Sequence, residues 1–283
     1  MIPPLLNGLA FGMLLLVLAS GLALIFGLRN VVNFAHGALY MLGAYIGVTV
    51  TEWTNYWLAI IVAPAALATI GVLLDRFGLR RLSRRQALDL VLLTYGLTFV
   101  ITGVVHAIWG SAPRSLSAPA GLTGSTSVLG TEYPTYRLFV IGVGLVVGIG
   151  LVVWLRSSRT GLYIRASTTD RAVAGVVGID VDRVSGIVVG LGAGLAGLAG
   201  VLAAPYLTVS PTMGAEVLVL AFVVVIVGGL GSIGGAMVAA LVLGLLNSFS
   251  AVYLPAVSAY VPYLLMAGVL LLRPQGFAGT RTA

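Results

Sequence analysis

The sequence lacks cysteine and lysine altogether. Without cysteine there is no disulfide bond and no thiolate metal site, and without lysine all 15 basic residues are arginine. Charged residues make up only 8% of the 283 residues, whereas soluble domains carry about 25%. So few charges could not cover the surface of a soluble fold of this length, a requirement that lipid removes. With 59% hydrophobic residues and a mean hydropathy of +1.11, the composition predicts a membrane protein.

A membrane-spanning helix needs about 20 apolar residues, and nine stretches of the chain are candidates. The first has no positive charge before it, unlike a secretory signal, so we interpret it as a retained span. Several others are short and could be half-helices or tilted pairs. We therefore predict an all-α, polytopic transmembrane helical bundle with eight or nine spans, some of them broken, in a single domain of residues 1–283. The candidate spans are about 5–28, 37–51, 58–74, 88–109, 138–155, 184–204, 215–230, 236–252 and 258–272.

The arginines predict the orientation of the bundle, because cytoplasmic loops of membrane proteins are rich in basic residues. They cluster in the loops around 75–86 and 156–183 and in the C-terminal tail, so we expect these segments to be cytoplasmic. The segment 111–137 is then the large outer loop, and the N-terminus lies outside. The same placement argues against nucleic acid as a partner, despite a net charge of +7. The clustered residues are Arg76, Arg80, Arg81, Arg84, Arg85, Arg156, Arg159, Arg165, Arg171, Arg183, Arg273 and Arg281.

The loop around 156–183 contains a pattern typical of a short helix. Three polar residues supply an N-cap and an acidic first turn, three valines at helical spacing form one apolar stripe, and a glycine follows where such a helix would end. A helix of about two turns is too short to be stable alone and should need docking. It either lies on lipid headgroups or enters a groove of a cytosolic partner. The residues are Thr168, Thr169 and Asp170 for the cap, Val173, Val176 and Val177 for the stripe, and Gly178 for the stop.

The glycine-rich run at residues 228–235 resembles a phosphate-binding loop but lacks the lysine that such a loop requires. Because it joins two apolar spans, we interpret it as a turn or a broken helix. If ATP powers this protein, another subunit binds it, and we expect no cofactor in this chain.

The sequence offers little material for catalysis. It has no Gly-x-Ser-x-Gly elbow and no pair of carboxylates inside a span, and its two histidines are far apart. We therefore expect no catalytic residues, no metal site and no enzymatic activity. The carboxylate and lysine relays of ion-coupled pumps are also missing, which disfavours a secondary transporter without excluding it.

Several polar residues interrupt or border the apolar runs. Polar groups at membrane depth are costly and usually face a cavity or the protein interior. These polar residues either border a solute path or belong to structural turns in which their polar groups are hydrogen-bonded. The structural interpretation is favoured. A break between Pro205 and Pro211, before Glu216, is interpreted in the same way, as an outer loop. The candidate path residues are Asn33, His36, Tyr40, Asn247 and Ser248.

Glycines recur at intervals of four residues, as in the pairs Gly8 and Gly12 or Gly43 and Gly47. Small residues on one face of a helix allow close approach of a neighbouring helix in lipid. We expect these faces to pack inside the subunit, with a subunit interface as the alternative. The other pairs are Gly144 and Gly148, and Gly190 and Gly194.

Two segments of the chain are distinctive: the early motif Asn33-Phe-Ala-His-Gly-Ala-Leu-Tyr-Met-Leu-Gly-Ala44 and the run Gly228-Gly-Leu-Gly-Ser232. With them, and over almost its whole length, the chain resembles the branched-chain amino acid ABC importer permeases of the LivH type. Further matching residues are Thr160, Gly161, Arg165, Ala166, Asp170, Ala174, Gly178, Ile179, Ala196, Gly197, Gly200, Pro211, Gly214, Phe222, Arg273, Pro274 and Gly276.

This resemblance implies one subunit of an importer in the cell inner membrane. Its partners would be a LivM-like second permease, two cytosolic ATPases that bind ATP, and an external solute-binding protein, although pairing of the chain with itself stays open. Branched-chain or related hydrophobic amino acids are the expected cargo, with urea, short amides or aromatic acids as alternatives. The resemblance also implies that residues 165–179 form the coupling helix, which sits in a groove of the ATPase. Its expected contact residues are Arg165, Ala166, Thr169, Asp170, Arg171, Val173, Ala174, Val176, Val177 and Gly178.

Overall fold

The computed structural model, which describes residues 1–82, 86–128 and 130–278, is a bundle of long apolar helices. A π-helical turn at Asp75–Leu79 continues α3 into α4, and a 3-10 turn at Ser258–Tyr260 leads into α12. The helices are α1 (Ile2–Arg29), α2 (Ala35–Trp53), α3 (Tyr56–Leu74), α4 (Arg80–Leu82), α5 (Ala87–Trp109), α6 (Thr135–Ser157), α7 (Arg159–Thr169), α8 (Arg171–Val176), α9 (Val181–Ala203), α10 (Met213–Gly228), α11 (Ile233–Tyr253) and α12 (Val261–Leu272). Arg84, Arg85 and Arg281 lie outside the described residues.

Each predicted span coincides with a helix, which confirms a polytopic helical bundle, but the predicted number of eight or nine crossings is not confirmed. Within the described residues, six helices are long and apolar enough to cross a membrane: α1, α3 with its extension to Leu82, α5, α6, α9 and α11. The other three fall short for physical reasons. In α2, glycine and polar residues lower the mean hydropathy of its 19 residues. Helices α10 and α12 have only 16 and 12 residues.

Helices α1 and α9 form the centre of the bundle, with most of their residues buried. The glycine pairs pack inside the subunit, as expected. A Cβ added to Gly43 would lie 2.5 Å from the Cα of Gly197, so α2 and α9 touch through their backbones. Likewise, Gly8 of α1 would meet the backbone of Leu245 in α11. These contacts explain how α1, α2, α9 and α11 pack closely without large side chains between them.

The segment 111–137 is not irregular throughout. Residues Ser125–Val128 (β1) and Thr131–Pro134 (β2) pair as an antiparallel hairpin, so the all-α prediction needs this correction. A backbone bridge between Arg114 and Val209 attaches the segment to the chain that follows α9. Serine, threonine and glycine make up half of the hairpin residues 125–134. The strands therefore lack the alternation of apolar and polar residues from which a strand is predicted.

Contacts near the N-terminus define one end of the bundle. Ser248 donates to the carbonyl of Pro4 at 2.7 Å, and Asn7 accepts hydrogen bonds from Tyr133 and Arg137. The Arg137 guanidinium also lies 4.8 Å from the centre of the Tyr206 ring. Burial raises the pKa of Tyr206, against the opposing effect of Arg137, so this ring stays a neutral phenol beside the cation.

Contacts of the C-terminal tail lie at the opposite end. Phe277 N–H donates to the carbonyl of Val227, and Ala278 N–H donates to that of Gly228, at the end of α10. The turn between α10 and α11 is the glycine-rich run, in which Gly229 and Gly231 take φ values of 101° and 81°. The prediction of a turn rather than a phosphate loop is therefore confirmed. The N-terminus and the tail lie at opposite ends of the bundle.

Candidate functional site

Helix α8 forms where the sequence predicts it and has the predicted ends. Asp170 is in an extended conformation, and its carboxylate accepts hydrogen bonds from the backbone N–H groups of Ala172 at 2.8 Å and Val173 at 3.0 Å. Gly178 takes a φ of 89°, which ends the helix in a conformation that favours glycine. Asp170 and Gly178 therefore act as the cap and the stop of a six-residue helix.

Residues 165–179 do not form one helix, which corrects the expectation taken from the family resemblance. Arg165, Ala166 and Thr169 belong to the preceding helix α7, and the chain bends at Asp170. The Arg165 guanidinium donates to the carbonyl of Leu155 and so ties α7 to the end of α6. Helix α7 itself was missed because its residues alternate between charged, polar and apolar without one clear stripe.

The valine stripe of α8 faces away from the protein. Val173, Val176 and Val177 are 57%, 87% and 70% exposed, whereas Ala174 is only 2% exposed and packs against the rest of the chain. The small side chain of Ala174 therefore packs against the protein, while the three larger valine side chains project away from it. An exposed apolar face of this kind is typical of a surface that a partner or lipid covers.

A chain of charged and hydrogen-bonded side chains connects α8 to three long helices; we call it the ionic network. Arg171 of α8 lies 3.6 Å from the Asp182 carboxylate, in the first turn of α9. Arg80 donates to the Asp182 carbonyl at 2.6 Å and lies 3.3 Å from the Asp75 carboxylate. The network thus passes from α8 through α9 and α4 to the end of α3.

Asp75 is the buried centre of the ionic network. Its carboxylate pairs with Arg29 at the end of α1 and accepts a hydrogen bond from Ser185 of α9 at 2.8 Å. Arg29 also donates to the Ser185 hydroxyl at 2.6 Å and to the carbonyl of Leu79 at 3.1 Å. The Asp75 and Arg29 side chains are 0% and 3% exposed. A buried charge is tolerated only where it is paired and hydrogen-bonded, and here both conditions hold.

The early polar residues lie in the interior of the bundle. His36 is fully buried, with Nε2 3.0 Å from the carbonyl of Leu18 in the middle of α1. The Asn33 side chain accepts a hydrogen bond from the N–H of Ala35 at 3.1 Å, close to the start of α2. Tyr40 is buried one turn further along. Asn33 and His36 thus each make one structural contact, but the buried Nδ1 of His36 has no hydrogen-bond partner among the described residues, and a role of these residues in the solute path stays a prediction.

Asn247 and Ser248 lie far from this group. Ser248 binds Pro4 near the start of α1, whereas His36 binds Leu18. Fourteen residues of α1 separate these two contacts, which corresponds to about 21 Å along a helix. The five candidate path residues therefore do not form one site.

Comparison with known proteins supports the family assignment. A family model described as branched-chain amino acid transport system / permease component matches residues 5–272. The chain belongs to this permease family. The permease is 28% identical to the high-affinity branched-chain amino acid transport system permease protein LivH of Salmonella typhimurium, over 96% of this chain and 94% of that one.

Two further relatives extend the range of the comparison. The permease is 28% identical to BraD, a high-affinity branched-chain amino acid transport system permease protein of Pseudomonas aeruginosa, over 97% of this chain and 94% of that one. It is 30% identical to the ribose import permease protein RbsC of Escherichia coli, over 93% of this chain and 79% of that one. The relatives are transport proteins, and together with the apolar helices they identify the chain as a multi-pass permease of the inner membrane.

The ionic network was not predicted from the sequence. Asp75, Asp182 and Ser185 are spaced over more than a hundred residues, so nothing local connects them. One signal was present: Arg29 and Asp75 each end a long apolar stretch. Charges of opposite sign at two span ends on the same side of the membrane are candidates for a pair.

Proposed function

We propose that this permease forms half of the translocation pathway of an ATP-driven importer and that α8 is the element that meets the ATPase. The observation that carries this proposal is the position of α8: its valine stripe is exposed, and Arg171 at its start joins the ionic network. A displacement of α8 by a partner would be passed through Asp182 and Arg80 to the ends of α9, α3 and α1.

The partners are those of a binding-protein-dependent importer. Two cytosolic ATPases would bind ATP, an external solute-binding protein would deliver the cargo, and a LivM-like permease would complete the pathway. The cargo we propose is a branched-chain or related hydrophobic amino acid, because the family model and the LivH and BraD relatives are named for this transport. The contact with the ATPase would involve the valine stripe of α8, with α7 beside it.

We further propose nine crossings, with the N-terminus outside and the tail in the cytoplasm. An odd number of crossings agrees with termini at opposite ends of the bundle, and the arginine-rich ends of α3, α6 and α12 would face the cytoplasm. Helix α2 is less apolar but is largely buried inside the subunit, whereas neighbouring helices of the complex would cover the exposed faces of the short helices α10 and α12.

The test replaces the valine stripe with charge. In the double variant Val173→Asp and Val176→Asp, two carboxylates occupy an apolar contact surface, and burying an unpaired charge is strongly unfavourable. We expect the variant permease to reach the membrane, but to lose the ATPases or to hydrolyse ATP without transport. Co-purification of the ATPases and ATP-dependent uptake in proteoliposomes measure these effects.

The control is Val257→Asp, which places one carboxylate on the half-exposed turn before α12, at the other end of the bundle. It should leave assembly and uptake close to those of the unmodified protein. Normal assembly and uptake in the Val173→Asp and Val176→Asp variant would contradict the proposed role of α8. Uptake that persists without ATP and without ATPases would favour an ion-coupled secondary transporter instead.

A further inference from the structure

A cavity of about 260 Å³ lies between α1, α6, α7 and the start of α11, at the end of the bundle that contains α8. Two basic side chains line it, those of Arg156 at the end of α6 and Arg165 of α7; we call it the arginine cavity. Neither arginine forms an ion pair in the part of the chain that the structure describes. The contact of Arg165 with the Leu155 carbonyl provides no full negative charge. The positive charge of the arginine cavity is therefore not neutralised.

The first turn of α11 adds a second feature that favours an anion. Ile233 and Gly234 line the arginine cavity, and the N–H groups of the first turn of a helix have no partner within the helix. Because α11 has 21 residues, its dipole places partial positive charge at this end. A Cβ added to Gly234 would meet no atom within 4 Å, so there is open space beside it. Two arginines and a helix terminus thus combine in one cavity, which favours a negatively charged ligand.

An apolar groove continues from the arginine cavity toward the middle of the bundle. It is a second cavity of about 260 Å³, between the same helices α1, α6 and α11, and Val152 of α6 lines both. On α1, Leu24 lines the arginine cavity and Leu16 lines the groove. On α11, the corresponding residues are Ile233 and Leu241. On both helices the groove residue lies further from the α8 end, so the two cavities follow each other along the bundle.

The apolar groove has the length and the exposure expected for a lipid chain. Along α6, the lining residues extend from Arg156 back to Gly144, twelve residues that correspond to about 18 Å. Half of the apolar core of a bilayer is about 15 Å thick. Gly144 and Gly148 place no side chain in the groove, while Leu145 and Ile149 beside them are about half exposed. A chain attached to a group at Arg156 would therefore extend through one leaflet.

We infer that the arginine cavity and the apolar groove together bind an anionic phospholipid from the leaflet on the α8 side. Guanidinium groups bind phosphate through paired, charge-assisted hydrogen bonds, and basic pockets between transmembrane helices bind anionic lipid headgroups. A free phosphate ion would leave the groove empty. An apolar helix of the second permease would leave the charges of Arg156 and Arg165 unpaired. A phospholipid satisfies both parts of the site, and it does so independently of cargo and ATP.

The experiment uses the permease, with the subunits that purify with it, in proteoliposomes. Phosphatidylglycerol or phosphatidylcholine with a photoreactive group on one acyl chain is included, and labelled peptides are identified by mass spectrometry after illumination. We expect phosphatidylglycerol to label residues 144–153 in preference to phosphatidylcholine. Arg156→Gln should lower this preference by about fivefold, the contribution of one basic residue to the binding of an anionic lipid.

A second variant tests the arginine cavity from α11. Gly234→Asp places a carboxylate in the open space beside the helix start, where an acidic residue is compatible with the helix dipole. The carboxylate repels an anionic headgroup, so the preference for phosphatidylglycerol should be lost. Gly234→Asn is the matched control, because it has the same shape without the charge and should keep most of the preference.

Arg159→Gln is the control for Arg156→Gln, since Arg159 is exposed and does not line the cavity, and the preference should stay unchanged. Equal labelling of residues 144–153 by the two lipids would overturn the inference, as would an unchanged preference in Arg156→Gln and Gly234→Asp. If neither lipid labels this segment, another protein surface covers the groove, and the inference is also wrong. These measurements need neither ATP nor leucine, so their outcome is separate from that of the import proposal.

Discussion

At the scale of single residues, Asp75 is a charged group that is buried among two arginines and a serine. Its carboxylate is completely buried and is surrounded by Arg29, Arg80 and Ser185. A buried ion pair adds little stability over an apolar pair of the same shape, but removal of one partner leaves an uncompensated charge. Asp75 is therefore required for stability as long as Arg29 is present.

The substitution Asp75→Asn tests this requirement. It leaves the buried Arg29 without its counter-charge, and the loss of one partner of a buried pair costs about 3–5 kcal/mol. We expect a marked loss of stability of the purified permease, measured as a lower unfolding midpoint in detergent. Glu52→Gln is the control, since it breaks the exposed Glu52–Arg114 pair, which should contribute no more than about 1 kcal/mol.

A double variant separates stability from mechanism. Replacing both members of the pair, Asp75→Leu with Arg29→Met, removes the unpaired charge and should recover most of the lost stability. It also breaks the connection from Arg80 to α1, although the contact of Arg80 with Asp182 of α9 remains. If the ionic network transmits motion, uptake in this double variant stays low although the protein is stable. Full recovery of uptake would show that the network acts only through stability.

At the scale of elements, α8 depends on its cap. A helix of six residues has too few internal hydrogen bonds to be stable by itself. The Asp170 carboxylate satisfies two N–H groups that the helix cannot pair internally, and the buried Ala174 gives one packing contact. Loss of the cap should therefore affect the whole helix and not only its first turn.

We expect Asp170→Ala to fray α8, because loss of an N-cap side chain costs about 0.5–2 kcal/mol. Hydrogen exchange at residues 172–177 should accelerate, and transport per ATP hydrolysed should fall. Asp170→Asn keeps a capping oxygen and should behave almost like the unmodified protein. The comparison is Asp180→Ala, which removes the cap of α9 at the Arg183 N–H. Because α9 has 23 residues and a buried face, exchange should change only at its first turn.

The elements differ in how far the sequence predicts them. Long apolar runs predict the spans, and Asp170 with Gly178 predicts the ends of α8, because these signals are local. Helix α7 and the hairpin carry no single periodic stripe, so their conformations depend on contacts such as that of Arg165 with Leu155. The close packing of α10 on α2 depends on the contact between Gly214 and Gly37. Contacts of that kind join residues far apart in the chain, and one sequence does not reveal them.

At the scale of the whole molecule, the contacts show which residues lie at each end of the bundle. Asp75, Arg29 and Asp182 meet at one end, together with α8. Met1, Tyr133 and Arg137 lie at the other, where Tyr253 donates a hydrogen bond to the Met1 sulfur. Glu52, Arg114 and Val209 also meet at that end. The arginine distribution predicts the side of the membrane on which each end lies.

The absence of cysteine from the chain makes the orientation directly measurable. Ser117→Cys places one thiol on the exposed loop at the N-terminal end, and Ser157→Cys places one at the exposed end of α6, beside α7. In intact cells a membrane-impermeant maleimide should label only the cysteine at position 117. The cysteine at position 157 should react once the membrane is permeabilised, which also controls for a buried or modified thiol. The opposite pattern would invert the proposed orientation and would place α8 outside the cell, where no ATPase could reach its valine stripe.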